Sequence, residues 1–170
     1  HGGSGVSLGL IEALRVMRSA PEIDWYGRDV PHGRHASTDA WLRQSYPTIW
    51  GARIKPHKPV SPGEVQALQS AALLNLVPST WDVFNFTAVE AMASGRPVIC
   101  SDAAGASELI DDGVTGFIYD GRSPTALSET LDRALSCSPV LLAEIGLRAR
   151  ETVLRLLNPE TIAQERVAAY

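Results

Sequence analysis

Two carboxylates stand eight residues apart in the stretch PSTWDVFNFTAVEAMASGRPVICSDAAGASELIDDGVTGFIY, which runs from Pro78 to Tyr119. Asp82 falls in a loop directly after the apolar run LLNLV, and Glu90 falls early in a helical pattern that is otherwise apolar. A helix beginning near Phe86 leaves its first backbone N–H groups, around Phe84, Asn85, Phe86 and Thr87, without acceptors in their own helix. Those donors and the positive end of the helix dipole suit a diphosphate. Glu90 lies about one turn further on, and its side chain leans back toward the helix start.

From there Glu90 reaches a ribose attached to the diphosphate and accepts from two vicinal hydroxyls, each bond worth roughly 1.5–3 kcal/mol. Asp82 lies on the other side of the phosphates, near a second sugar. A nucleotide-sugar combines these groups. Taken as an isolated pair, the two acids also read as a helix decoration and a solvated loop acid. Context weighs against this: Glu90 is flanked by Thr87, Ala88, Val89, Ala91, Met92 and Ala93. A carboxylate buried there without a partner is costly.

Helix and strand patterns alternate along the chain that positions these acids. An amphipathic helix is expected from Val6 to about Pro21, then a strand at 23–27. A helix follows over 36–46, capped by Ser37 or Thr38, then a strand at 48–51, TIWG. Ser61-Pro62-Gly63-Glu64 reads as a capping box with proline in the first turn. That helix runs to about Ala71, ahead of strand 73–77. Phe86–Ser94 is a helix ended by Gly95; strand 96–100, a short helix over 106–110 and strand 116–119 follow. Ser123-Pro124 and Asn158-Pro159 open helices at about 124–136 and 159–169, with another at 139–156 between them.

Such alternation with short links predicts an α/β fold: a Rossmann-like parallel sheet flanked by helices. A doubly wound domain normally opens with a strand, whereas this sequence opens with glycines and a helix, so its first strand is expected to be missing. Residues 1–5, HGGSG, read equally as a tag or linker, as a truncated start, or as a glycine-rich phosphate nest; 6–170 form the domain.

At 170 residues with 45% hydrophobic content, the chain is long enough for one buried core. Fifteen basic against nineteen acidic residues give −4, with an isoelectric point near 5.5. With no basic stripe, nucleic acid is not an expected partner. Cys100 and Cys137 read as reduced, buried thiols. No apolar run is long enough for a bilayer, so a cytoplasmic protein is expected, with peripheral attachment to a membrane surface left open.

The Pro78–Tyr119 run also resembles the signature of retaining family 4, group 1 glycosyltransferases of the GT-B fold. Their pattern reads P-S, E-x-F-G, a second Glu eight residues after the first, A-M-A-x-G-x-P-V, a strand, a glycine-rich loop, E, and D-G-x-x-G. The matches are Pro78, Ser79, Phe84, Glu90, Ala91, Met92, Ala93, Gly95, Pro97, Val98, Gly105, Glu108, Asp112, Gly113 and Gly116. Weaker likeness extends over nearly the whole chain.

The resemblance implies the C-terminal, donor-binding half of a GT-B enzyme. It implies that Glu90 holds the ribose, Asp82 the donor-sugar hydroxyls, and the backbone of Phe84, Asn85, Phe86 and Thr87, beside Ser79, the sugar and diphosphate. The implied reaction moves a glycosyl group from a UDP-, GDP- or ADP-sugar to an acceptor hydroxyl with retention, without metal or other cofactor. The acceptor, a carbohydrate or lipid-linked one, would bind an N-terminal domain not contained in these residues, so this stretch alone is expected to be inactive.

Four positions depart from the family pattern: Asp82 for Glu, Asn85 for Gly, Ala104 for the first of two glycines, and Ser4 near a phosphate-binding Lys that normally follows an Arg. Asn85 would put a side chain where backbone normally approaches the donor. A non-catalytic Rossmann-like binding or scaffold module, or a GT-B epimerase or phosphorylase, are the alternatives.

Among other groups, Asp29, His32 and His35 are weak metal candidates without cysteine partners. Arg53, Lys55, His57 and Lys58 read as a solvated basic loop or as a contact for phosphates, nucleobase, an anionic acceptor or a membrane. Trp25, Trp41 and Trp50 read as packing residues; Trp81 could line the sugar pocket. Ser79 and Ser101 have no sequence-evident histidine partner.

Overall fold

The computed structural model describes residues 4–123 and 125–158. Along them run α1 (Ser4–Val16), β1 (Ile23–Tyr26), α2 (Thr38–Ser45), β2 (Ile54–His57), α3 (Pro62–Ala71) and β3 (Asn75–Val77). Then come α4 (Phe86–Ala93), β4 (Val98–Ser101), a 3-10 turn (Gly105–Leu109), β5 (Phe117–Tyr119), α5 (Ala126–Leu135) and α6 (Pro139–Leu156). The expected helix over 159–169 lies outside the described residues, as do residues 1–3 and Pro124.

Local chemistry sets most helix starts. Ser61 and Glu64 exchange the reciprocal bonds of a capping box with Pro62 in the first turn. Ser37 and Ser138 cap α2 and α6. Ser123 is not the cap of α5: the helix starts after Thr125, which makes no side-chain cap bond.

All strand pairings within the two sheets are parallel. β1 pairs with β2, Ile23 opposite Ile54, and β3–β4–β5 form a second ladder. In β4 Ile99 faces a core built from α1, α2, α5 and the first half of α6, including Leu10, Leu42, Leu131 and Ile145. Val98 and Cys100 face the opposite layer, where α4 and the second half of α6 contribute Met92, Ala91, Ala149 and Val153. Helices on both faces of parallel strands make the Rossmann-like architecture expected from the sequence.

The strand expected at 48–51 does not form. The N–H groups of Ile49 and Trp50 donate back to the Tyr46 carbonyl at 3.0 and 2.9 Å, and Gly51 turns the chain at φ 86°. The strand lies instead at β2, inside the stretch expected to be a basic loop. Its charges disguised it: Lys55 and His57 project from one face and meet Glu22 and Asp24, each at 2.6 Å. Among the described residues, no helix is long and apolar enough to cross a membrane.

Candidate functional site

The loop after β3 carries Ser79 to Asn85 and is fastened to the loop after β4. Asp82 N–H donates to the Ala103 carbonyl at 3.2 Å, and Gly105 N–H donates to the Asp82 carbonyl at 3.0 Å. Gly105 is required by this approach, because a Cβ there would run into the Val83 carbonyl. Ala104, in place of a glycine, buries its methyl group completely in the core.

Asp82 is half-buried, and both of its carboxylate oxygens are engaged within the loop. Oδ1 accepts from Phe84 N–H at 3.2 Å, and Oδ2 accepts from Asn85 Nδ2 at 3.0 Å. Asn85 Nδ2 also donates to Ser79 Oγ at 2.8 Å, while Asn85 Oδ1 accepts from Ala88 N–H at 3.3 Å and so caps α4. The Asn85 side chain is therefore engaged within the loop. It turns inward and ties the loop acid to the helix start. Beneath them lies Cys100, whose thiol is pushed up to about 12 by burial and, secondarily, by the Asp82 carboxylate.

Of the four N–H groups expected to face a ligand, that of Phe84 is consumed by Asp82. Those of Asn85, Phe86 and Thr87 have no acceptor among the described residues. Phe86 and Thr87 are exposed, so their donors are open to an anion.

Glu90 is exposed rather than buried, which corrects the expectation drawn from its apolar flanks. It faces a groove of about 320 Å³ between α3 and α4, together with Gly63, Gln66, Gln69 and Ser94. A separate groove of about 260 Å³ lies on the other side, between Val6 of α1 and residues Ser79, Thr80, Trp81, Asp82 and Val83. The start of α4 thus has Asp82 in the groove on one side and Glu90 in the groove on the other.

Gln69, which the sequence did not single out, is buried beside Glu90. Its Nε2 donates to the Thr87 carbonyl at 3.4 Å, and its Oε1 has no partner. Trp81 is 79% exposed at the Asp82 groove, unlike the packed Trp25, Trp41 and Trp50.

The other candidates have structural roles. Asp29 accepts from Ser37 Oγ at 2.6 Å and Asp39 N–H at 3.0 Å, and these bonds hold its carboxyl below the usual range. His32 and His35 stack on Trp41. No group of three or more His, Cys, Asp or Glu able to hold a metal occurs among the described residues. Ser79 Oγ accepts from Asn85 Nδ2, and Ser101 Oγ accepts from Ala103 N–H.

With this geometry in view, the family described as Glycosyl transferases group 1 matches residues 49–152. The chain belongs to that family. It is 35% identical over 101 residues to a D-inositol 3-phosphate glycosyltransferase of Corynebacterium glutamicum, covering 59% of this chain and 24% of the relative. It is 31% identical over 112 residues to an MMP alpha-(1->4)-mannosyltransferase of Mycolicibacterium hassiacum, covering 65% of this chain and 27% of that protein.

Among solved structures, a glycosyltransferase from Rickettsia africae superposes with a TM-score of 0.80 at 21% identity, over 99% of this chain and 44% of that one. Anabaena Alr3699/HepE in complex with UDP gives 0.78 at 23%, over 95% and 44%. These likenesses establish the GT-B fold. The family member described here spans about a quarter of the curated relatives' length and under half of the solved chains.

Proposed function

We propose that these residues form the nucleotide-sugar-binding half of a retaining glycosyltransferase. The observation that carries this reading is the row of unpaired N–H groups at Asn85, Phe86 and Thr87 with a carboxylate in the groove on either side. The donors would take the diphosphate of the nucleotide-sugar. Glu90 would accept from the two ribose hydroxyls, and Asp82 would use its remaining lone pairs on hydroxyls of the donor sugar. The UDP complex of HepE, a protein of the same fold, supports a nucleotide-sugar as ligand.

In the reaction, the C1–O bond to the diphosphate breaks as the acceptor oxygen bonds to C1 on the same face. The acceptor proton passes to the departing diphosphate oxygen. Backbone donors at the helix start stabilise the charge that grows there, without calling on a metal. The acceptor, a carbohydrate or lipid-linked hydroxyl, would be held by residues beyond this stretch.

Calorimetric titration of the full-length polypeptide with UDP-, GDP- and ADP-sugars tests the reading. Saturable binding weakened by Glu90→Ala is expected; absence of binding to all three refutes it. Donor binding with neither transfer nor hydrolysis would instead identify a non-catalytic binding module.

A further inference from the structure

Large apolar side chains left in water are unevenly spread over this protein. Among the described residues the three most exposed are Trp81, Val83 and Phe86, at 79%, 76% and 71%, all in the stretch 81–86. A cluster of this kind beside a groove marks a surface that another molecule covers. The backbone produces it. Asp82 bridges to Ala104 in extended form, so side chains alternate: Asp82 and Phe84 are half-buried, whereas Trp81 and Val83 face solvent. The bonds that join Asp82 to Ala103 and Gly105 hold this alternation in place. Phe86 opens α4, and its ring meets the half-buried Phe84 ring edge-on, with centroids 5.3 Å apart, which steadies it in its exposed position.

The surroundings of this rim define what can cover it. Trp81 and Val83 share the groove of about 260 Å³ with Val6, and also with Ser79, Thr80 and Asp82. Apolar surface, hydroxyls and a carboxylate thus line one space, and a hydrocarbon chain satisfies only the first of these. No Lys or Arg stands between Pro78 and Gly95, while Asp82 and Glu90 are both acidic, so an anionic bilayer is repelled rather than held. A sugar ring has C–H groups on its faces and hydroxyls around its edge. The indole offers a flat apolar surface to the first, and the polar side of the groove offers hydrogen-bond partners to the second.

We propose that Trp81, Val83 and Phe86 form a platform for the pyranose ring of the glycosyl acceptor, so that this half of the protein helps to select the acceptor as well as the donor. The inference rests on the donor arrangement proposed for Asp82 and the start of α4. There the donor sugar lies at Asp82, and the diphosphate lies on N–H groups that include that of Phe86. Retention brings the acceptor hydroxyl to C1 on the face that the diphosphate leaves, which is the side of Phe86. Trp81 and Val83 stand outside Asp82, toward solvent, so they meet a ring lying over the donor rather than the donor itself. Residues beyond this stretch hold the acceptor from the other side.

The full-length polypeptide is titrated with UDP, GDP and ADP. The diphosphate that binds is then kept present during titration with the methyl glycosides of glucose, mannose, galactose and N-acetylglucosamine. Saturation-transfer NMR reads which ring protons touch the protein, and acrylamide quenching reads the accessibility of Trp81, the one exposed tryptophan of four. At least one glycoside is expected to make contact through its ring C–H groups and to shield Trp81. Trp81→Ala should weaken that glycoside about 10-fold or more and Trp81→Phe much less, with diphosphate affinity within about twofold in both. Trp81 is exposed, so neither change disturbs the fold. Diphosphate binding without contact to any glycoside overturns the platform and leaves the donor reading standing. Glycoside contact without binding of any diphosphate refutes the donor reading, and with it the assignment of the ring to an acceptor. If Trp81→Ala weakens the nucleotide-sugar but not the glycosides, the ring is the donor's and the proposal fails. It fails equally if Trp81 is shielded before any sugar is added, because the rest of the polypeptide would then be the occupant.

Discussion

Asn85 is the residue through which loop, helix and acid are joined, and its removal has a calculable effect. Asn85→Ala keeps a backbone that alanine adopts without strain, since φ is −85° and ψ is 101°. It removes the cap on Ala88 N–H, about 1 kcal/mol for Asn to Ala. It also removes donations to Ser79 Oγ and Asp82 Oδ2, each worth about 0.5–1.5 kcal/mol net. Water replaces part of this at a half-buried site, so the expected loss is about 2 kcal/mol, or roughly 4–8 °C in Tm for a chain of this size.

Asn85→Gly, the family's usual residue, loses only a few tenths of a kcal/mol in capping, so it isolates the bridging bonds. Asn85→Asp keeps the cap but sets a second carboxylate against Asp82. It should therefore be less stable than Asn85→Gly at pH 7, because two like charges face each other in the loop. Chemical denaturation of the four proteins measures all of this. A loss below about 0.5 kcal/mol for Asn85→Ala, the range of an ordinary surface change, would refute the bridging role.

Gly105→Ala forces a methyl group onto the Val83 carbonyl, so it should cost about 1–3 kcal/mol by denaturation and lower donor affinity by displacing Asp82. Wild-type stability would sink that account of the close approach. Hydrogen bonds from Arg133 hold the Asp112 carboxyl below the usual range, so the pair's contribution is present above the unfolded value near 3.9 and is lost as pH falls through the lower folded value. Both side chains are over two-fifths exposed, so Arg133→Met should cost less than about 1 kcal/mol at pH 7 and flatten the acid limb of the stability curve. An unaltered acid limb would contradict this. An aromatic disulfide reagent at pH 8 should label Cys137, which is half-buried, and spare Cys100, whose thiol burial pushes up to about 12. Two thiols reacting in the native protein would refute the placement of Cys100.

What the sequence disclosed was the chemistry that acts over a few residues. The capping box at Ser61 and the helix beginning at Phe86 depend on short-range hydrogen bonds and stand where the spacing put them, whereas the cap-and-proline start expected at Ser123 does not form. β2 was illegible because a strand whose exposed face carries Lys55 and His57 looks like a solvated loop until Glu22 and Asp24 lie opposite. That pairing joins residues 33 apart in the chain. The bonds of Asn85 were illegible for the same reason: its partner Ser79 lies across a turn, and only the folded loop brings the two together.

Glu90 shows how helical geometry, rather than neighbours in the chain, decides exposure. The buried residues of α4 are Ala88, Val89, Ala91 and Met92, one stripe of the helix, while Phe86 and Glu90 stand four apart on the other. The apolar flanks of Glu90 belong to the face turned away from it. Because its carboxylate stays in water before a ligand arrives, a hydrogen bond to a hydroxyl must displace a bound water and is worth about 0.5–1.5 kcal/mol net. Two such bonds to a diol amount to about 1–3 kcal/mol, so Glu90→Ala should weaken donor binding roughly 5- to 150-fold. The same exposure predicts a stability change within about 0.5 kcal/mol. Glu90→Gln, which keeps one acceptor and loses the charge, should fall between wild type and alanine. Donor affinity within twofold of wild type for Glu90→Ala would remove the ribose from this groove, and a large loss of stability would mean that Glu90 supports the fold instead.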